Sequence, residues 1–129
     1  EIAVYAANGG GAPKLRNLSS DLFNIRVVNS NTQDKSALNV ECGADYVKTN
    51  QKLPANVQPR DHQLYSSFDG DADRVVFYYT DNSRFQLLDG DRIATLLASF
   101  INKLLQQAKV EAKMGIIQTA YANGDSTKY

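Results

Sequence analysis

Two short apolar runs, Ile2-Ala3-Val4-Tyr5-Ala6 and Ile25-Arg26-Val27-Val28, flank a glycine turn and a helical pattern, and this order constrains the fold most. Asn8-Gly9-Gly10-Gly11 stops the first run, because glycines break regular structure. Pro13 suits the first turn of a helix. Leu15, Leu18, Leu22 and Phe23 recur at helical spacing, which predicts a helix to about Asn24. Asn29-Ser30-Asn31 closes the second run. Parallel strands need a crossover, usually helical, so strand–helix–strand predicts an α/β fold, a mixed sheet flanked by helices.

Further along, Ala44-Asp45-Tyr46-Val47 reads as a short strand, and the polar stretch 48–63, with Pro54 and Pro59, as a surface insertion. Residues 64–68 read as a strand, and 75–79 with 84–88 as a hairpin around Asp81-Asn82-Ser83. The strongest helix follows. Ile93, Leu96, Leu97, Phe100, Ile101, Leu104, Leu105 and Ala108 form an unbroken apolar stripe, with Asp89 as N-cap and Asp91 at the positive end of the dipole. Gly115-Ile116-Ile117-Gln118 reads as another strand. The expected division is one domain over 1–113, then a closing strand and the start of a following domain over 114–129. Ala3-Val4-Tyr5-Ala6-Ala7-Asn8-Gly9 near the start echoes Gln118-Thr119-Ala120-Tyr121-Ala122-Asn123-Gly124 near the end, as a duplicated strand-to-glycine turn would. Asn-Gly is also a common turn pair, so the echo alone leaves both explanations standing.

Composition narrows the partners. With 129 residues the chain is long enough to bury a core of its own. Acidic and basic residues balance at 14 each, so no global field points to nucleic acid or an anionic membrane surface. No apolar run approaches the roughly 18 residues of a membrane span, and the start carries no signal-peptide pattern. Cys42 is the only cysteine and fits a reducing compartment. The chain opens directly on an apolar strand without an initiator Met. The expectation is a soluble, cytoplasmic piece of something larger.

The candidate site is Ser67-Phe68-Asp69-Gly70-Asp71-Ala72-Asp73-Arg74. Three carboxylates at alternate positions repel one another, and such clusters usually persist around a cation. On a helix Asp71 would point away from Asp69 and Asp73, whereas in an extended segment alternate residues share a face. Oxygen-only ligands with room for others favour Mg²⁺, which commonly shares its shell with phosphate. Arg74 adds a planar fork suited to a pair of phosphate oxygens. An acidic surface turn that merely solvates is the plain alternative. A helix–loop–helix calcium loop fits poorly, since its sixth position holds Arg74 and its twelfth Thr80. An aspartyl-phosphate phosphatase with Asp69 as nucleophile stays open, although Asp73 stands where that group usually has Thr. So does a non-catalytic, metal-dependent binding module.

Other features read more simply. Asp89-Gly90-Asp91 precedes the amphipathic stripe and reads as a cap. Asn8-Gly9-Gly10-Gly11 lacks the endings of nucleotide loops and reads as a tight turn. His62 reads as a solvated histidine, Cys42 as an unactivated thiol, and Lys48-Thr49-Asn50-Gln51 as a polar loop.

Phe68-Asp69-Gly70-Asp71-Ala72-Asp73-Arg74 resembles the metal-binding loop of the α-D-phosphohexomutases. Cys42-Gly43-Ala44-Asp45-Tyr46-Val47-Lys48-Thr49-Asn50-Gln51, Leu87-Leu88-Asp89-Gly90-Asp91-Arg92-Ile93-Ala94 and Gln118-Thr119-Ala120-Tyr121-Ala122-Asn123-Gly124 are similar to the second domain of that family's phosphoacetylglucosamine mutase branch. The likeness runs in order along nearly the whole chain. Tyr5 stands where the family usually has Asp, Gly10 where Val is common, and Tyr65 and Ser66 near an expected Cys.

The resemblance implies an isomerase of four domains, the first three of related topology. It would interconvert N-acetylglucosamine 6-phosphate and 1-phosphate on the route to UDP-N-acetylglucosamine, through a phosphoserine and a sugar bisphosphate intermediate. It implies that Asp69, Asp71 and Asp73 hold Mg²⁺ and that Arg74 contacts phosphate. The nucleophilic serine, sugar-reading loop and distal phosphate loop would lie in other domains of the same chain. No catalytic residue is therefore expected here, and the domain alone should be inactive.

Overall fold

The computed structural model describes residues 1–18, 21, 24–55, 57–118 and 121–122. The chain forms two compact units, Glu1–Leu87 and Leu88–Tyr129.

The first unit is built on β1 (Ile2–Tyr5), α1 (Ala12–Leu15), β2 (Ile25–Val28), α2 (Ala44–Asn50), β3 (Tyr65–Phe68), β4 (Val75–Asp81) and β5 (Arg84–Leu88), in a sheet of order β2-β1-β3-β4-β5. β1 runs parallel to β2 and to β3, while β3 and β4 are antiparallel. The expected mixed α/β sheet is what forms. Alternation along β1 sends Ala3 and Tyr5 into one core layer and Val4 into the other. Ala44 and Val47 of α2 cover the first layer, and Ala12 and Leu15 of α1 the second. Both faces of β1 are therefore buried, which is why its sequence is apolar throughout.

Tyr5 belongs to this core. Its ring is tilted against Tyr65 at 6.5 Å, Tyr65 stacks on Tyr78 at 5.8 Å, and Tyr78 stacks on Phe85 at 5.8 Å. Pairs of this kind add about 0.5–1.5 kcal/mol each beyond area burial. The buried Tyr78 hydroxyl is 2.9 Å from Ser67 Oγ, and burial pushes its pKa far above the usual phenol range despite that bond.

Three expectations change. α1 is a single turn, followed by a turn at Arg16-Asn17, rather than a helix to Asn24; Leu18 is exposed, and Leu22 and Phe23 lie outside the described residues. Ala44-Asp45-Tyr46-Val47 is not a strand but the start of α2, and Lys48-Thr49-Asn50 continue it. The buried pair Ala44 and Val47 are three residues apart, the period of a helix face. The helix ends where Gln51 turns left-handed at φ 51° and donates its backbone N–H to Val47. Its side chain donates to the Lys48 carbonyl at 2.7 Å. Third, Gly115-Ile116-Ile117-Gln118 is not in a strand, and no strand among the described residues pairs with it. A strand needs a neighbour to take its alternating N–H and C=O groups.

In the second unit, α3 (Gly90–Gln107) starts where expected. The Asp89 carboxylate accepts from Arg92 N–H at 3.3 Å, capping the helix start. Asp89→Ala should lower stability by about 1 kcal/mol, read as a shifted urea midpoint, with metal binding unchanged. A change in metal affinity would show that this second Asp-Gly-Asp does more than cap. Most of the apolar stripe is exposed in this chain, with Leu96 63 % and Phe100 56 % accessible, while Ile93 and Leu105 are half-buried. No described helix is long and apolar enough to cross a membrane.

Candidate metal centre

β1 and β3 are neighbouring parallel strands whose chains leave in opposite directions, β1 toward β2 and β3 toward β4. In open α/β sheets such a switch point leaves a crevice at the carboxyl ends of the strands. The glycine turn leaves β1 at that end, and the acidic loop leaves β3 beside it.

The two loops touch through their backbones. Gly10 N–H donates to the Gly70 carbonyl at 3.0 Å, and a Cβ on Gly9 would lie 2.1 Å from that same oxygen. A Cβ on Gly70 would in turn meet Leu38 Cδ1 at 2.8 Å and Asn39 Nδ2 at 2.9 Å. Asn8, at φ 56°, fixes the turn from the other side. Its backbone N–H donates to the Asn29 carbonyl at 2.6 Å and its side-chain amide to the Ala37 carbonyl at 3.0 Å. Its side-chain oxygen accepts from Asn31 N–H at 3.0 Å. The acidic loop thus rests on a backbone platform that only glycine allows at its centre. The echoing Asn123-Gly124 lies outside the described residues.

Asp69, Asp71 and Asp73 each offer a carboxylate oxygen within 4.8 Å of the others. They converge through a turn rather than along an extended segment. Ala72 N–H donates to the Asp69 carbonyl at 3.1 Å, and Ala72 takes a left-handed φ of 63°. Alternation alone put all three on one face; a reversal at Ala72 gathers them.

The site is electrostatically uneven. Asp69 is buried, 3 % exposed, while Asp71 and Asp73 are exposed. Burial opposes charge on Asp69, yet the Arg74 side chain and backbone N–H more than offset it and hold the carboxyl below its usual range. Arg74 Nε donates to Asp69 Oδ2 at 2.6 Å and Arg74 N–H to Oδ1 at 3.2 Å. Asp73 is raised, first by its side-chain interaction with Asp69 and then by the Asp71 and Asp69 charges. One guanidinium does not neutralise three acids. Hard oxygen donors, mutual repulsion and two exposed carboxylates fit a hydrated divalent cation of the Mg²⁺ kind.

Arg74 is also held by Asp45, whose carboxylate accepts from Nη1. Asp45 stands in the first turn of α2. Sequence reasoning missed it, because reading this segment as a strand hid its nearness to the acidic loop. The signal available was an Asp two residues after a glycine at a helix start.

The other candidates lie apart from this arrangement. His62 is exposed, with Nδ1 4.0 Å from Asp81. Cys42 is buried, and burial raises its thiol pKa, as expected of an unactivated cysteine. Lys48, Thr49, Asn50 and Gln51 are exposed at the end of α2.

The sequence and the fold of this chain are similar to those of N-acetylglucosamine-phosphate mutases. Among solved structures, a magnesium complex of Aspergillus fumigatus N-acetylphosphoglucosamine mutase with GlcNAc-6P superposes with a TM-score of 0.90 at 48 % identity. That match covers 99 % of this chain and 27 % of the other. An apo N-acetylglucosamine-phosphate mutase, described as a member of the α-D-phosphohexomutase superfamily, gives a TM-score of 0.88 at 50 % identity over 98 % of this chain and 29 % of its own. The family model for Phosphoacetylglucosamine mutase AMG1, domain II matches residues 1–76, and that for domain III matches residues 89–129.

The chain belongs to the phosphoacetylglucosamine mutase family. Phosphoacetylglucosamine mutase of Candida albicans is 50 % identical over all of this chain and 25 % of its own length. That of Homo sapiens is 45 % identical over 99 % of this chain and 24 % of its own. The chain therefore spans about a quarter of the length of the curated relatives it matches. The expected boundary after residue 113 falls within both the second compact unit and the domain III match.

Proposed function

We propose that this chain supplies the Mg²⁺-binding part of an enzyme that interconverts N-acetylglucosamine 6-phosphate and N-acetylglucosamine 1-phosphate. The observation that carries the reading is the convergence of Asp69, Asp71 and Asp73 at the β1/β3 switch point in a chain of this family. The relative solved with GlcNAc-6P and magnesium supports the choice of ligand and ion. Another, a serine-to-alanine variant of the Aspergillus fumigatus enzyme solved with glucose 1,6-bisphosphate, supports a bisphosphate intermediate.

On this reading the phosphoryl group shuttles between sugar and a phosphoserine carried by another domain of the same protein, in the cytoplasm, toward UDP-N-acetylglucosamine. Phosphoryl transfer asks a protein mainly for positioning and for neutralising charge on the equatorial oxygens. Mg²⁺, when bound, supplies Lewis-acid charge to the transferring group and the donor oxygen. Asp69, Asp71 and Asp73 hold the ion, the glycine platform fixes their spacing, and Arg74 presents guanidinium N–H groups to phosphate. Arg74 holds the Asp69 carboxylate in one orientation and draws charge from both its oxygens, which weakens it as a nucleophile.

The test is Asp71→Asn in the full-length protein. Because Asp71 is exposed, the fold should survive. Turnover of the sugar phosphate should fall at least about tenfold, the scale of one lost interaction of about 1.4 kcal/mol. Wild-type turnover in that variant would sink the metal assignment.

A further inference from the structure

Arg74 lies between two acids of different kinds. Asp69 is one of the three converging carboxylates; Asp45 is not, and reaches the guanidinium from α2. We propose that Asp45 is a positioning residue for the metal–phosphate site, holding the Arg74 guanidinium at the rim of the loop when a divalent cation displaces it from Asp69. The proposal rests on the metal reading above.

The argument is one of competition. The Nε contact at 2.6 Å occupies Asp69 Oδ2, an oxygen a cation would also seek. The Arg74 side chain also approaches Asp73 Oδ1, at 3.5 Å. Left to these acids alone, the guanidinium would settle among the ligands and oppose the ion by occupancy and by charge. Asp45 supplies a second anchor outside the ligand set, engaging Nη1. When a cation takes Asp69 Oδ2, the Asp45 pair still holds the guanidinium at the rim of the loop. Among the described residues, no hydrogen-bond partner of Nη2 is found, which leaves it for a phosphate oxygen. The anchor is itself fixed, because α2 buries Ala44 and Val47 on either side of Asp45.

A merely structural Asp45 would support the start of α2 through the helix dipole, and its loss would lower stability only. The experiment is a double-mutant cycle in the full-length protein, with Mn²⁺ as a spectroscopic stand-in for Mg²⁺. Binding is read by electron paramagnetic resonance and folding by urea titration. Asp45→Asn should weaken Mn²⁺ binding about fivefold, and Asp45→Glu should restore most of it. In an Arg74→Gln background, Asp45→Asn should change Mn²⁺ affinity by less than about twofold, because residues in one ionic network couple while independent ones add.

Equal weakening in both backgrounds would reduce Asp45 to a general negative charge and overturn the proposal. So would unchanged affinity in Asp45→Asn while Asp71→Asn still weakens binding, and in that case the metal site itself stands. No Mn²⁺ binding by the wild-type protein, or no effect of Asp71→Asn, would overturn the metal reading and this inference together.

Discussion

Gly9→Ala should destabilise the first unit by about 3 kcal/mol or more and displace the acidic loop with it. The added Cβ would stand 2.1 Å from the Gly70 carbonyl oxygen and 2.7 Å from its carbon, all backbone atoms with no flexible end to swing aside. Overpacking in a tight site costs about 1–3 kcal/mol even where side chains can repack. Here the backbone itself must separate. Gly10→Ala is the internal control. A Cβ there meets nothing within 4 Å, and the Gly10 N–H keeps its bond to Gly70. That change should stay within about 0.5 kcal/mol. Urea midpoints of the two variants decide the matter. Equal midpoints would mean that the platform does not hold the loop.

The second large effect is expected at Asp69. On the proposed reading, Asp69→Asn should lower turnover of the full-length protein about a thousandfold, since it would remove a charged ligand from a site worth several kcal/mol of charge stabilisation. It should also alter the acid limb of stability. The folded Asp69 carboxyl lies below its ordinary value of 3.8, so over that window the folded state binds fewer protons than the unfolded. Its stabilising contribution is complete above about pH 3.8 and is lost as pH falls through the lower folded value. Asp73 is shifted upward, so its contribution runs the other way, present at low pH and lost as pH rises through its raised value. Urea midpoints from about pH 2 to about pH 5 should show the gap between wild type and Asp69→Asn closing as acid is added. A gap of constant size would mean that Arg74 does not hold the Asp69 charge.

Sequence reading found all five strands of the sheet and the cap at Asp89, because these depend on local pattern. It failed at α2. Ala44-Asp45-Tyr46-Val47 contains residues that favour strands, and only the tertiary burial of Ala44 and Val47 marks a helical face. That error carried Asp45 out of view, since a helix start and a strand project side chains differently. The triad was legible in Asp69, Asp71 and Asp73, but its turn was not. A left-handed φ at Ala72 has no signature when the residue is alanine rather than glycine or asparagine. The Gly9–Gly70 contact was likewise hidden. Each glycine is visible alone, but their meeting depends on β1 and β3 lying side by side.

The backbone platform also bears on which ions the loop would accept. Discrimination between Mg²⁺ and the larger Ca²⁺ depends on ligand number, cavity size and how far the ligands can relax outward. Gly70 is pressed between the β1 turn on one side and Leu38 and Asn39 on the other, so the loop has little room to widen. Ionic radius would then be read by the resistance of two neighbouring loops to being pushed apart, as much as by the carboxylates that touch the ion.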